Sequence, residues 1–187
     1  MKKTKDLNFL DFFLSPHGLR TLGAFHPNNK DCNLKNIRTM VLIGPDEPNF
    51  WQIFKESCEF KDGLKDPLDR WSLRVINRLA EQLDAISFFP FGEGETMPFV
   101  KWALRTGQSF ISPVNFLVHI DLGLFVSFRG ALGFEQKLHI TELTKGYPCE
   151  ECTRPCIVAC PAEAISLNSY DDSKCREYLK RQADKLC

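Results

Sequence analysis

No apolar run in this chain approaches the roughly 20 residues that a membrane-spanning helix needs. Nor is there an excess of either charge: 24 Lys and Arg face 24 Asp and Glu. Affinity for a phosphate backbone rests on surplus cations, which argues against a general electrostatic nucleic-acid binder and leaves only local basic patches open. The start, Met1-Lys2-Lys3-Thr4-Lys5-Asp6, is basic, but Asp6 and Asp11 break up the apolar residues beside it. Without an unbroken apolar stretch or a small-residue cleavage site, no signal peptide is read. A G-x-G-x-x-G or P-loop run is also missing, so no motif for a bound nucleotide is present. Neither repeats nor low-complexity tracts occur. Together these absences place the expected protein in the cytoplasm, with no membrane partner.

What is present is a core and an unusual number of thiols. The chain has 187 residues, 43% of them hydrophobic, enough for one ordinary domain or for one domain with a small module attached. Its eight cysteines are unevenly placed. Cys32 and Cys58 lie alone. Cys149, Cys152, Cys156 and Cys160 crowd together, and Cys175 and Cys187 come after them. Crowded thiols in a cytosolic chain mean metal or redox chemistry more often than crosslinks.

The pattern divides the chain near residue 145, into a layered domain over 1–145 and a cysteine-bearing segment over 146–187. Residues 7–15 read as a short helix ended by Pro16 and Gly18. Leu19–Phe25 reads as a strand. Met40–Ile43, closed by Gly44-Pro45, suits a central strand covered on both faces. Residues 48–58 look helical. Asp66–Leu83 is the strongest helix: Asp66 can cap it, Pro67 takes the first position, and Leu68, Trp71, Val75, Leu79 and Leu83 form one stripe. Ala85–Phe89 is expected as a strand and Pro98–Arg105 as a helix. Phe116–Ile120 and Leu124–Leu132 are expected to pair across an Asp121-Leu122-Gly123 turn. A last helix should start at Asp171-Asp172-Ser173 and run toward Leu186. Interleaved elements with a late hairpin predict an α+β fold with a mixed sheet.

The chemistry lies in Cys149-x2-Cys152-x3-Cys156-x3-Cys160-Pro161. Iron–sulfur clusters need thiolates converging from a tight loop, and the bacterial ferredoxin run is C-x2-C-x2-C-x3-C-P. The outer gaps and the closing proline match, with one residue inserted in the middle gap. A zinc site and a redox disulfide are the alternatives. Zinc sites usually set two short ligand pairs across a longer spacer. A 4Fe-4S cluster held by Cys149, Cys152, Cys156 and Cys160 is therefore the expectation. The last cysteine of such a run ligates the other cluster in two-cluster ferredoxins. The inserted residue lengthens the loop's reach and favours Cys160 as the fourth ligand. Cys175 and Cys187 are the alternatives. Cys175 shares a helix face with Leu179 and Leu186, which suits an inert buried thiol.

Several segments carry a resemblance. Ala103–Gly107, Asn115–Val126, the PCEECTRPCIVACPAEAIS run and Lys174–Leu179 are similar to epoxyqueuosine reductases. Asp66–Asp69 and Phe128-Arg129-Gly130 resemble segments of cyanocobalamin-processing decyanases. The LSPHGLRTLGAFHP, DPLDRW and SFRGAL stretches resemble a group of small bacterial ferredoxin-type proteins without an assigned reaction. The resemblance implies a nitroreductase-related α/β/α domain followed by a ferredoxin-like segment. It implies a corrinoid, or else a flavin, beside the cluster. It also implies an electron donor or acceptor protein, a small-molecule substrate and, by family analogy alone, tRNA. Epoxyqueuosine reductases carry a second cysteine run; the residues through Cys187 contain one. Their glycine-rich stretch after the helix is replaced here by Gln108–Pro113.

Two further residues take roles from the resemblance. Glu95 stands where an acidic proton donor would be, against the alternative of a solvated loop carboxylate. Arg129, in an apolar stretch, would contact an anion or ligand, against the alternative of an arginine reaching the surface. His26 and His119 suit structural roles better than catalytic ones. Phe88, Phe89, Phe91 and Phe99 suit a core better than a cofactor wall. Two functions are consistent with this reading: an oxidoreductase whose cluster serves a corrinoid or flavin, or an electron-carrier or partner-binding module with a degenerate pocket. A zinc-stabilised interaction domain is the third.

Overall fold

The computed structural model describes residues 7–28, 31, 34–92, 97–141 and 146–186. Its helices are α1 (Asn8–Leu14), α2 (Asn49–Lys55), α3 (Cys58–Lys61), α4 (Pro67–Leu83), α5 (Phe99–Arg105), α6 (Pro155–Val158) and α7 (Asp172–Leu186). The strands are β1 (Leu19–Phe25), β2 (Thr39–Pro45), β3 (Ile86–Phe88), β4 (Ser109–Ile111), β5 (Leu117–His119), β6 (Gly130–Phe134), β7 (Ile165–Ser166) and β8 (Ser169–Tyr170). The fold is α+β. Its contacts separate into two compact units, Met1–Gln108 with Ser127–Leu143, and Ser109–Val126 with Thr144–Cys187.

The first unit is built on a sheet of order β1-β2-β6-β3. Every pairing in it is antiparallel, where a mixed sheet is expected from the sequence. The reason is positional. β2 and β3 run in the same direction, joined through α2, α3 and α4, but β6 slots between them and pairs with both. Gly130 lies at a close approach within this arrangement: a Cβ there would stand 2.7 Å from the Ile76 side chain and 3.0 Å from the Phe88 carbonyl. A Cβ at this point would crowd the end of the Ile76 side chain and the Phe88 carbonyl.

β2 is buried along nearly its whole length, as its unbroken apolar run predicts. On one face, Val41, Ile43, Leu132 and Phe134 join Leu10 and Leu14 of α1, Phe50 and Phe54 of α2, and Trp71, Val75, Ile76 and Leu79 of α4. Three aromatic residues tighten this core: Trp71 meets Phe50 and Phe54 edge-on at 5.5 and 5.9 Å. On the other side Trp102 of α5 lies against Phe25 and Phe88, with ring centroids at 6.4 and 5.8 Å. The helix expected over 48–58 breaks before Ser57, whose hydroxyl accepts from Phe60 N–H at 3.3 Å and caps α3. Asp66 sits at the cap position of α4 but in left-handed backbone, and its carboxylate caps nothing.

The second unit holds two small hairpins. β4 pairs with β5, Ser109 opposite His119 and Ile111 opposite Leu117. This corrects the expected pairing of Phe116–Ile120 with Leu124–Leu132. The turn between β4 and β5 closes on itself: Ser112 N–H donates to Phe116 C=O, and Phe116 N–H donates back to the Ser112 hydroxyl, at 2.8 and 3.0 Å. Leu124 to Arg129 form no strand. The chain does turn at Gly123, which takes φ +58° and bridges to His119. β7 and β8 make the second hairpin, and α7 comes after it. Asp171 starts α7 as expected, its carboxylate accepting from Lys174 N–H at 3.0 Å.

No helix among the described residues is long and apolar enough to cross a membrane.

Candidate metal centre

The cysteine run opens on Tyr147 and Pro148 and passes through a turn closed by Glu150 N–H on the Tyr147 carbonyl. Arg154 then takes left-handed backbone, φ +60°, and Pro155 begins the single turn of α6. Proline suits that first helical position, since its missing N–H would be unpaired there anyway. The residue inserted into the ferredoxin spacing falls at this bend. Cys156 rides on α6, and Cys160 lies just beyond it. Cys149, Cys156 and Cys160 are half-buried, and Cys152 is exposed.

Backbone N–H groups point at two of the sulfurs. Arg154 N–H donates to Cys152 Sγ at 3.3 Å, and Ala164 N–H donates to Cys160 Sγ at 3.4 Å. Around Cys160 the effect is collective. The Ala164 N–H first, and those of Ala162, Ile165 and Glu163 with it, draw the thiol below its ordinary pKa against the opposing effect of burial. Donors aimed at a sulfur favour the thiolate, which is the form that binds metal. Left-handed Glu163, φ +49°, helps fold this stretch back over Cys160.

Two tyrosines mark the other thiols. Burial first, then the charge of Cys149 and a hydrogen bond with it, raise Tyr147. Tyr170 is pushed up to about 12, first by a hydrogen bond with Cys175, and further by burial and by the charges of Cys175, Asp172 and Cys160. Cys160 and Cys175 therefore share a neighbour, although Cys175 is distant in sequence. Cys175 is half-buried on α7, not enclosed. An open hollow of about 470 Å³ runs along Gly146, Tyr147, Pro148, Glu150, Glu151 and Cys152.

The donor chemistry fits a thiolate-bound group: four thiols in one loop, with N–H groups on two sulfurs. The structure does not draw the four sulfurs round one point. Among the described residues no three His, Cys, Asp or Glu side chains gather closely enough to hold a single metal ion.

The remaining candidates are dispersed. Glu95, Cys32 and Cys187 lie outside the described residues. Arg129 is mostly enclosed, its side chain 14% exposed, and pairs with Asp69 at 3.2 Å. Its guanidinium lies 5.7 Å from the Phe91 ring centre, and its Nε donates to the Phe128 carbonyl. Burial lowers its pKa against the support of Asp69. Its charge is thus already partnered inside the first unit. His26 Nε2 lies 3.1 Å from the Leu138 carbonyl, and His119 is buried with Nδ1 accepting from Asp121 N–H. Phe88 and Phe99 pack on Trp102 as core. Tyr147 and Tyr170 are the site neighbours that spacing alone does not single out. The only local signal is that each lies within a few residues of a cysteine or aspartate turn.

Compared with family models, with curated proteins and with solved structures, the chain finds no match.

Proposed function

We propose that this chain is an iron–sulfur electron-transfer protein. In this reading Cys149, Cys152, Cys156 and Cys160 hold a 4Fe-4S cluster in a ferredoxin-like segment that comes after a nitroreductase-related domain. The observation that carries it is the set of backbone N–H groups aimed at Cys152 and Cys160, within a spacing close to the ferredoxin run. A bound cluster would supply one-electron chemistry. The chain's own part is to present the thiols and to aim N–H groups at two of them, Cys152 and Cys160, and the bends at Arg154 and Glu163 serve this. The ligands of a polynuclear cluster stand on its outside, so they are spread more widely than those of one zinc ion.

The reading includes a reductase that works with a corrinoid or a flavin. A carrier module without its own substrate is the second reading, and the pairing of Arg129 with Asp69 favours it, because that cation has no charge to spare for a ligand. The test is anaerobic purification with iron and acid-labile sulfide counting. Near-equal iron and sulfide, lost in Cys149→Ser, Cys152→Ser and Cys156→Ser, supports the proposal. Zinc without sulfide sinks it and leaves a zinc-stabilised interaction domain.

A further inference from the structure

The hydrogen bond on Cys160 is the near end of a series of contacts that begins in the turn between β4 and β5. Ala164 N–H donates to Cys160 Sγ at 3.4 Å, and the carbonyl of the same residue accepts from Asp171 N–H at 2.8 Å. That second bond adds a rung to the β7–β8 ladder, next to the pairing of Ile165 with Tyr170. Ala164 is buried, so its peptide groups depend on these partners. The direction of its N–H is therefore set by where the β7–β8 hairpin is held.

The hairpin is held at its turn. Asn168 N–H donates to the Pro113 carbonyl, and the Asn115 side-chain amide donates to the Asn168 carbonyl, each at 2.7 Å. Phe116, beside them, meets the Tyr170 ring at 4.8 Å. Pro113 and Asn115 both lie between β4 and β5. Two of the three contacts are a backbone bond and a ring contact. The third is a single exposed side chain, that of Asn115, whose backbone takes φ +63°. Asparagine and glycine both tolerate this left-handed region, so the amide can be removed without straining the turn. Donors aimed at the sulfurs stabilise the more negative, reduced cluster and raise its potential.

We propose that Asn115 is a positioning residue for the metal centre: by holding the β7–β8 turn, its amide keeps the Ala164 N–H aimed at the Cys160 sulfur. This rests on the iron–sulfur reading above, with Cys160 as a ligand. It extends the site to a turn well before the first cysteine, which the cysteine spacing does not touch.

The experiment uses the full chain with its cluster, prepared anaerobically, as wild type, Asn115→Gly and Ser112→Ala. Asn115→Gly removes the amide and keeps the left-handed backbone. It should take up iron and sulfide as wild type does, show a lower midpoint potential, and lose iron to a chelator about threefold faster, the lower range for one hydrogen bond because Asn115 is exposed. Ser112→Ala removes a different bond of the same turn, the one its hydroxyl accepts from Phe116 N–H at 3.0 Å. The turn stays closed by Ser112 N–H on the Phe116 carbonyl and Asn115 N–H on the Ser112 carbonyl, so its potential should stay at the wild-type value. A wild-type potential in Asn115→Gly overturns the proposal, since faster iron loss alone would follow from any loosening of the unit. So does an equal fall of potential in Ser112→Ala, which assigns the effect to the turn as a whole. A wild-type protein that takes up no iron or sulfide overturns the underlying reading, and this proposal with it.

Discussion

Glu59 offers a quantitative test of how the first unit is held together. It is 6% exposed, on the short helix α3, and it faces Arg74 on α4. Arg74 donates twice to the carboxylate, from Nε to Oε1 and from Nη2 to Oε2, the latter at 2.9 Å. The Cys58 thiol adds a third donor at 3.3 Å. The arginine bonds, outweighing burial, pull Glu59 down from 4.5 to about 2. A group whose pKa is depressed in the folded state stabilises the fold above its unfolded pKa. That contribution is lost as pH falls from about 4.5 through about 2. The full difference corresponds to about 3 kcal/mol at neutral pH. Arg74 is 49% exposed, so water screens the pair, and about 1–3 kcal/mol is the working range. The perturbation is Glu59→Gln, which keeps the volume and removes the charge. Urea unfolding should place the variant about 1–3 kcal/mol below wild type at neutral pH. The gap should narrow through the acid range and close near pH 2. Other carboxylates also titrate low, Asp62 through its bonds with Arg70 among them. The difference between the two proteins, not the wild-type curve, is therefore the quantity to read. Equal stability at neutral pH, or a gap that does not change with pH, would refute the assignment.

Thr39 is fully buried and bridges two backbone groups, donating to Gln136 C=O at 3.0 Å and accepting from Leu138 N–H at 2.9 Å. Thr39→Val should cost about 2–4 kcal/mol in urea unfolding, because it strands both groups, while Thr39→Ser should keep most of the stability. If Cys160 closes the cluster, Cys160→Ser should lose iron as fully as Cys152→Ser does, and Cys175→Ser should keep it; iron counting on the three variants decides. Titration of the holoprotein with cobalamin and with flavin, followed by spectroscopy and calorimetry, separates the two functional readings. Saturable binding weakened by Arg129→Ala supports the reductase, and no binding by the intact holoprotein supports the carrier.

Local chemistry was legible without coordinates. The central strand at Met40–Ile43, the long helix after Pro67, the cap at Asp171 and the turn at Gly123 each arise from a pattern within a few residues. Backbone sterics and capping act at that range. The cysteine spacing likewise lies in one short stretch, so the candidate ligands could be named from it. Pairing could not be named in the same way. β6 lies between β2 and β3, with Gly130 packed close to Ile76, a fit between residues far apart in the chain. Ser109–Ile111 is too short and too mildly patterned to announce a strand, and it exists as one because Leu117–His119 lies opposite. The same holds around the thiols. The sequence alone determined which residues carry sulfur and how they are spaced. Only tertiary structure decided that β4 stands behind Tyr147, that Cys160 and Cys175 share Tyr170, and that Arg129 spends its charge on Asp69. Hydrogen bonds and ion pairs depend on distances in space, and residue order along the chain does not specify those distances.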